Sequence, residues 1–352
     1  MEQRYIVGIS VSGIIQVPGD KCAEMGEKMI SIKDISKYYR VTKRDTAGMS
    51  AVLKSLFRRE YHEVKAVEHI DLSVKKGEIR ALIGPNGAGK STVLKMLSGV
   101  LYPTSGEIQV MGYTPWQQRE ELVRKIGVVF GQKSQLQWDL PTIDTCQLNR
   151  IIYDIPSQVY HANLEYFIEH LNLKDVISKP VRQLSLGERM KCEFVCALLH
   201  QPPLVILDEP TIGLDVFSKQ EIRKFIRQMN RDRGTTFLIT THDLDDVEEL
   251  CENITVINKG KITFDDTMEH LKTYYSHRKI LEFHFAEKVD KEQLMDYHVI
   301  SCDRNSVKIE LNRRKMDTQE CIQKICGQFP VMDINIANIS IEEVIRDIYQ
   351  LG

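Results

Sequence analysis

The stretch Ile-Gly-Pro-Asn-Gly-Ala-Gly-Lys-Ser-Thr at residues 83–92 constrains this chain more than any other. It follows the apolar run Glu78–Ile83 and precedes the helical pattern Ser91–Val100. Gly84, Gly89, Lys90 and Ser91 therefore complete a P-loop pattern in the strand–loop–helix setting that the pattern requires. Glycines 84, 87 and 89 let the backbone curl around an oxyanion without Cβ clashes. The loop amides and the helix N-terminus then point at phosphates. Lys90 adds a full charge for the β- and γ-oxygens, and Ser91 adds a hydroxyl for Mg²⁺.

Three more apolar runs end in polar side chains: Ile126–Phe130, Pro203–Glu209 and Thr235–Thr241. Such runs suit strands buried on both faces. Their alternation with helical patterns from Met29 to Ser276 predicts an α/β layered domain with parallel strands. Asp208 and Glu209 stand just past one buried strand, where the first can hold the water shell of Mg²⁺ and the second can polarise an attacking water. His242 ends another strand, expected beside the Asp208 strand, so it reaches the same sheet edge and can contact a γ-phosphate. Gln132, past the Ile126–Phe130 run, can touch both Mg²⁺ and water. The mostly helical stretch 142–200 is long enough for a subdomain. Within it Ser185-x-x-Glu188 reads as a capping box that specifies a helix start.

The rest of the chain bounds the setting. A net charge of −2 gives no global positive field to collect nucleic acid. Of the eight cysteines none forms a C-x-x-C pair, so they read as reduced structural thiols in a reducing compartment. The run Tyr5–Val17 is too short to span a bilayer. Met29 opens the regular pattern and Gly26-Glu27-Lys28 can be encoded by a ribosome-binding stretch, so residues 1–28 are expected to be a mis-called or disordered extension. Residues 40–64 interrupt the early strand pattern. Their helical stretch 49–61 fits either a surface helix or a basic amphipathic helix near lipid headgroups. After Ser276 the order βαββαβ and a closing helix predict a small ferredoxin-like α+β domain over 277–352.

Taken in order, these motifs resemble those of the ATP-binding cassette family, the ATPase subunits of ABC transporters, over about Met29–Ser276. The resemblance implies a P-loop cassette with a RecA-like core, an antiparallel β layer and a helical subdomain at about 142–200. It implies that Gly84, Pro85, Asn86, Gly87, Ala88, Gly89, Lys90, Ser91 and Thr92 form the Walker A loop. Leu204–Glu209 would be the Walker B strand, Glu209 the catalytic glutamate, Gln132 the Q-loop residue and His242 the switch histidine. Ser91, Gln132 and, through water, Asp208 would hold Mg²⁺. Gly213-Leu214-Asp215 would be the D-loop. Tyr39 resembles the aromatic that stacks on adenine, with Tyr38 adjacent and the 40–64 insertion able to reposition either.

In this family a Leu-Ser-Gly-Gly-Gln signature closes over the nucleotide held by a second subunit. Here Leu184–Glu188 reads Leu-Ser-Leu-Gly-Glu. Ser185 and Gly187 are kept, Leu186 can point away if its backbone is ordinary, and Glu188 completes the capping box. The stretch is therefore expected to be a working variant. One set of motifs per chain implies dimerisation on ATP, with itself or with a related subunit. "GQKSQLQWDLP", "LSLGERMKCE" and "FRREYHEVKAV" are most similar to ATPase subunits of bacterial ABC-2-type exporters. That similarity implies a separate membrane permease, gripped by the segment after Gln132 that includes Trp138, and a place on the cytoplasmic face of the membrane. It implies ATP and Mg²⁺ as cofactors and no nucleic acid. Two other readings stand beside it: a soluble cassette acting on ribosomes or nucleic acid, and an ATP-gated regulatory binder with little hydrolysis.

Overall fold

The computed structural model describes residues 28–42, 61–131, 133–275, 277–313 and 315–351. Residues 1–27 of the N-terminal extension, residues 49–60 of the expected 49–61 helical stretch and Gln132 lie outside the described residues, while Lys28 and Tyr61 open strands. Two compact units are present, and the division falls between Asp265 and Asp266, ahead of the change of texture after Ser276.

The first unit holds two sheets. β1 (Lys28–Thr42), β2 (Tyr61–Lys75) and β4 (Ser105–Val110) form an antiparallel layer in the order β2-β1-β4. Arg40 lies opposite Glu63 and Val41 opposite His62. Both ends of the 40–64 stretch thus extend the strand ladder rather than interrupt it. Aromatic and β-branched residues there suit a pleated surface.

The second sheet has six strands in the order β5-β6-β7-β3-β8-β9. These are β3 (Ile79–Ile83), β5 (Ile126–Phe130), β6 (Leu204–Asp208), β7 (Thr236–Thr240), β8 (Asn253–Asn258) and β9 (Lys261–Thr267). The pairs from β5 to β8 are parallel. Their continuous apolar runs are buried, as a sheet covered on both faces demands. β8 and β9 are joined by Lys259-Gly260, both at positive φ, as a tight two-residue turn requires.

Helix α1 (Lys90–Leu97) is held between the layers. Its Val93, Leu94, Met96 and Leu97 share one core with Ile30, Ile32 and Ile70 of the antiparallel layer and Leu82, Ile206 and Leu238 of the six-stranded sheet. Each such fully buried side chain contributes about 1.5–3 kcal/mol. A short helix, α2 (Arg119–Val123), leads into β5.

The 142–200 stretch is helical: α3 (Thr142–Ile152), α4 (Ser157–His170) and α5 (Leu186–Leu198). Phe167 of α4 and Phe194 of α5 meet Phe225 of α6 (Val216–Arg233) edge-on, with ring centroids 5.9 and 6.1 Å away. α7 (Leu244–Leu250) precedes β8.

The second unit contains α8 (Met268–Tyr275), β10 (Arg278–Phe285), β11 (His298–Cys302), β12 (Ser306–Asn312), α9 (Thr318–Gln328), β13 (Val331–Asn338) and α10 (Ile341–Leu351). Its sheet runs β11-β12-β10-β13, antiparallel throughout. The chain order follows the expected split pattern except at its first helix, which is reduced to a 3₁₀ turn at Lys291–Leu294. A short helix depends on tertiary packing to offset nucleation, and of that turn only Leu294 is buried. The α9 side and the sheet enclose Leu281, Phe283, Val307, Ile309, Cys321 and Ile325.

Candidate nucleotide site

β3 delivers the chain into the 84–89 loop at the C-terminal edge of the sheet, and α1 carries it away. Gly89 caps that helix at φ 112°, and a Cβ there would sit 2.5 Å from the Ala66 carbonyl oxygen. Only glycine fits. No side chain caps the N-terminus of α1, so its first amides are available to an anion. Lys90 Nζ donates to the Gly84 carbonyl at 2.6 Å and the Pro85 carbonyl at 3.3 Å. Burial lowers the Lys90 pKa, while the Glu209 and Asp208 carboxylates oppose that shift.

β6 lies between β5 and β7, which brings three strand ends together. Asp208 accepts from Thr240 Oγ1 at 2.6 Å and from Ser91 Oγ at 3.3 Å. Its carbonyl accepts from the Gly131 amide at 2.8 Å. Glu209 Oε2 is 2.5 Å from His242 Nδ1. The Glu209 side chain is 16% exposed and that of His242 59%, so the pair is anchored on its carboxylate side and open on its imidazole side. Glu209 also holds a positive φ of 55°, a strained backbone for a non-glycine residue.

A cleft of about 820 Å³ is lined by every residue from Gly84 to Thr92 together with Asp208, Glu209 and His242. Tyr39 is not on its wall. The β1–β2 ladder seats Tyr39 opposite Val64 and Tyr38 opposite Lys65, next to the Ala66 that does line the cleft. Ser185, Leu186, Gly187, Glu188 and Asp215 also lie off the cleft wall.

Those five residues form a second constellation. Ser185 caps α5: the Glu188 amide donates to Ser185 Oγ at 3.2 Å, and the Ser185 amide donates to Glu188 Oε2 at 2.8 Å. The backbone bond from Ser185 holds the Glu188 carboxyl below its usual pKa. Leu186 is the first residue of α5, sits outside the positive-φ set and is 38% exposed. Gly187 faces α6, where a Cβ would meet Ser218 Oγ at 2.3 Å. Asp215 caps α6, accepting from the Ser218 amide at 2.9 Å and the Ser218 hydroxyl at 2.6 Å. The starts of α5 and α6 are thus packed together through Gly187 and Ser218.

Residues 67–212 match the family model described as ABC transporter. The bacitracin transport ATP-binding protein BcrA of Bacillus licheniformis is 32% identical over 251 residues, covering 71% of this chain and 80% of that protein. The lantibiotic transport ATP-binding protein SrtF of Streptococcus pyogenes is 32% identical over 228 residues, covering 64% and 96%. A solved ATP-binding subunit of an ABC transporter superposes with a TM-score of 0.58 at 26% identity, covering 70% of this chain and 93% of that one. The chain belongs to the ABC transporter ATP-binding family. As an ABC ATPase subunit it binds and hydrolyses ATP for a transporter. Among the described residues no helix is long and apolar enough to cross a membrane.

This ABC subunit also contains site features that sequence motifs did not single out. Thr240 orients Asp208, and Lys133 lines the cleft. Both flank residues already named, at strand ends, which was the available signal. A buried network stands behind the Glu209–His242 pair. Asp246 of α7 accepts from Thr211 and Thr241 and from Arg223 Nε of α6 at 2.6 Å. Arg223 reaches Glu249 at 2.9 Å, and Lys219 pairs with Asp243. Nothing local in the sequence announces that network, because its members come from two helices and the two loops that lead into them.

Proposed function

We propose that this chain is the motor subunit of an ABC-2-type exporter, acting at the cytoplasmic face of a membrane. The observation that carries the catalytic part is the Glu209–His242 contact at 2.5 Å on the rim of the P-loop cleft. In this reading the residues 84–92 wrap the phosphates, and Lys90 turns its charge from the loop carbonyls to the β- and γ-oxygens. Glu209 orients and polarises the attacking water. His242, holding Glu209 through Nδ1, keeps its other nitrogen for the γ-phosphate. Tyr39, or Tyr38 beside it, stacks on the adenine.

The donor set fits a Mg²⁺ ion. Ser91 Oγ and Asp208 Oδ2 are hard oxygens 3.3 Å apart, and Gln132 stands two residues past Phe130 in the sequence. Among the described residues no group of three or more His, Cys, Asp or Glu could hold a metal unaided, so phosphate oxygens would complete the shell. Bound there, Mg²⁺ neutralises phosphate charge.

Ser185 and the amides at the start of α5 face the nucleotide of a second subunit, a copy of this chain or a relative. The permease docks on the apolar surface formed by Trp138, Leu140, Leu148, Ile151 and Ile152, all exposed. A patch of that kind on a soluble surface marks an interaction site. The exporter assignment is supported by relatives named for bacitracin and lantibiotic transport. The decisive test is Glu209→Gln. It should bind ATP as the wild type does and lose steady-state hydrolysis by at least about a hundredfold. Equal turnover in both proteins would remove Glu209 from the mechanism.

A further inference from the structure

We propose that Glu193 is a positioning residue that makes the signature helix α5 and the segment 133–136 move as one piece during turnover. The inference rests on the reading of Ser185 as a contact to nucleotide. Glu193 lies on α5, beyond the Ser185 cap, and is 4% exposed. Beyond the bonds of its own helix, its polar contacts among the described residues go to one short segment. Its carboxylate accepts from Ser134 Oγ and from the Gln135 amide at 3.3 Å. Its backbone carbonyl accepts from Gln135 Nε2 at 3.2 Å. Ser134 Oγ accepts in turn from the Leu136 amide at 3.1 Å.

The two ends of that segment touch two different places. Lys133 lines the nucleotide cleft, two residues past the Gly131 amide that binds the Asp208 carbonyl. Trp138, a few residues on, is 58% exposed on the apolar surface. Asn149 of α3 donates to the Cys196 carbonyl of α5 at 3.1 Å, so α3 and its exposed Leu148 and Ile151 are fastened to the same helix.

A carboxylate is an expensive choice for simple packing. Burial pushes the Glu193 pKa up, against the bonds from Ser134 and Gln135, and an apolar residue would fill the space without that cost. What the carboxylate adds is direction. Charge-assisted bonds to a hydroxyl and an amide fix the segment's register along α5. A displacement at the cleft end or at the Trp138 end then arrives at Ser185.

The test uses the full chain with Mg-ATP. Three quantities are followed: ATP affinity, kcat, and the ATP-dependent change in tryptophan emission that Trp138→Phe removes. Glu193→Ala should bind ATP within about twofold of wild type, lose about tenfold in kcat rather than in KM, and lose the Trp138 response. Glu193→Gln keeps one acceptor and should fall between. A folded Glu193→Ala with wild-type kcat overturns the proposal, as does a wild-type Trp138 signal that ignores ATP. If Glu193→Ala does not fold, Ser134→Ala carries the test: reduced kcat and a weakened Trp138 response support the clasp, and wild-type values overturn it. Ser185→Ala separates the two readings. Wild-type turnover in Ser185→Ala defeats the signature reading, whereas loss there with none in Glu193→Ala defeats only this one.

Discussion

At the scale of the residue, the signature variant separates two positions that look equivalent in a Gly-Gly pair. Gly187 is sterically required, because any Cβ would enter Ser218. Leu186 occupies an ordinary helical position with its side chain partly in solvent. Leu186→Gly should therefore fold and turn over ATP, losing up to about 1 kcal/mol in urea unfolding from helix propensity. Gly187→Ala should cost more, and its ATPase should fall, because α5 must shift from α6. His200 gives a pH signature. Burial lowers its pKa to about 4, Nδ1 has no partner, and the ring stacks on Tyr153 at 4.1 Å. The folded pKa lies below the unfolded value of about 6.5, so the unfolded state binds the proton first as pH drops. Stability is full above about pH 6.5 and declines toward pH 4, by about 1.4 kcal/mol per unit across that interval. Urea midpoints at pH 7 and 4.5 should diverge in the wild type and converge in His200→Phe.

At the scale of the element, the strands and the P-loop were legible because their signals are local. A buried strand writes itself as a continuous apolar run, and a phosphate loop writes itself as glycines at fixed spacing, so Ile126–Phe130 and Gly84–Ser91 needed no partner to be recognised. The Asp246 network and the Glu193 clasp were not legible, since an acid within a helix reads as a solvated face until its neighbours are known. The expected helix near Lys291 failed for a related reason: short polar stretches are decided by what they pack on. The network makes a quantitative claim. Asp246→Ala leaves Arg223, 6% exposed, without its 2.6 Å partner, and should cost about 3 kcal/mol in denaturant unfolding. Arg223→Met with Asp246→Leu should recover much of that loss, since no buried charge is then stranded. A double variant as unstable as the sum of the singles would contradict the pairing.

At the scale of the whole molecule, one chain places Ser185 and the P-loop on separate constellations, so the proposed mechanism needs a second subunit to complete a site. Light scattering should find Glu209→Gln as a dimer with Mg-ATP and a monomer without it. Adding Ser185→Ala should keep it monomeric at the same nucleotide concentration, through the loss of about 1.5–3 kcal/mol per charge-assisted bond. Sequence gave no access to that division of labour except through family likeness, because spacing along a chain says nothing about which copy a helix tip serves. One local feature reaches the scale of the fold. Glu209 stands in a left-handed backbone well that side chains avoid. A glycine there would relax the chain and, on the proposed role of Glu209, leave a sturdier protein with no way to cut its fuel, so ruggedness and hydrolytic power would pull this single position in opposite directions.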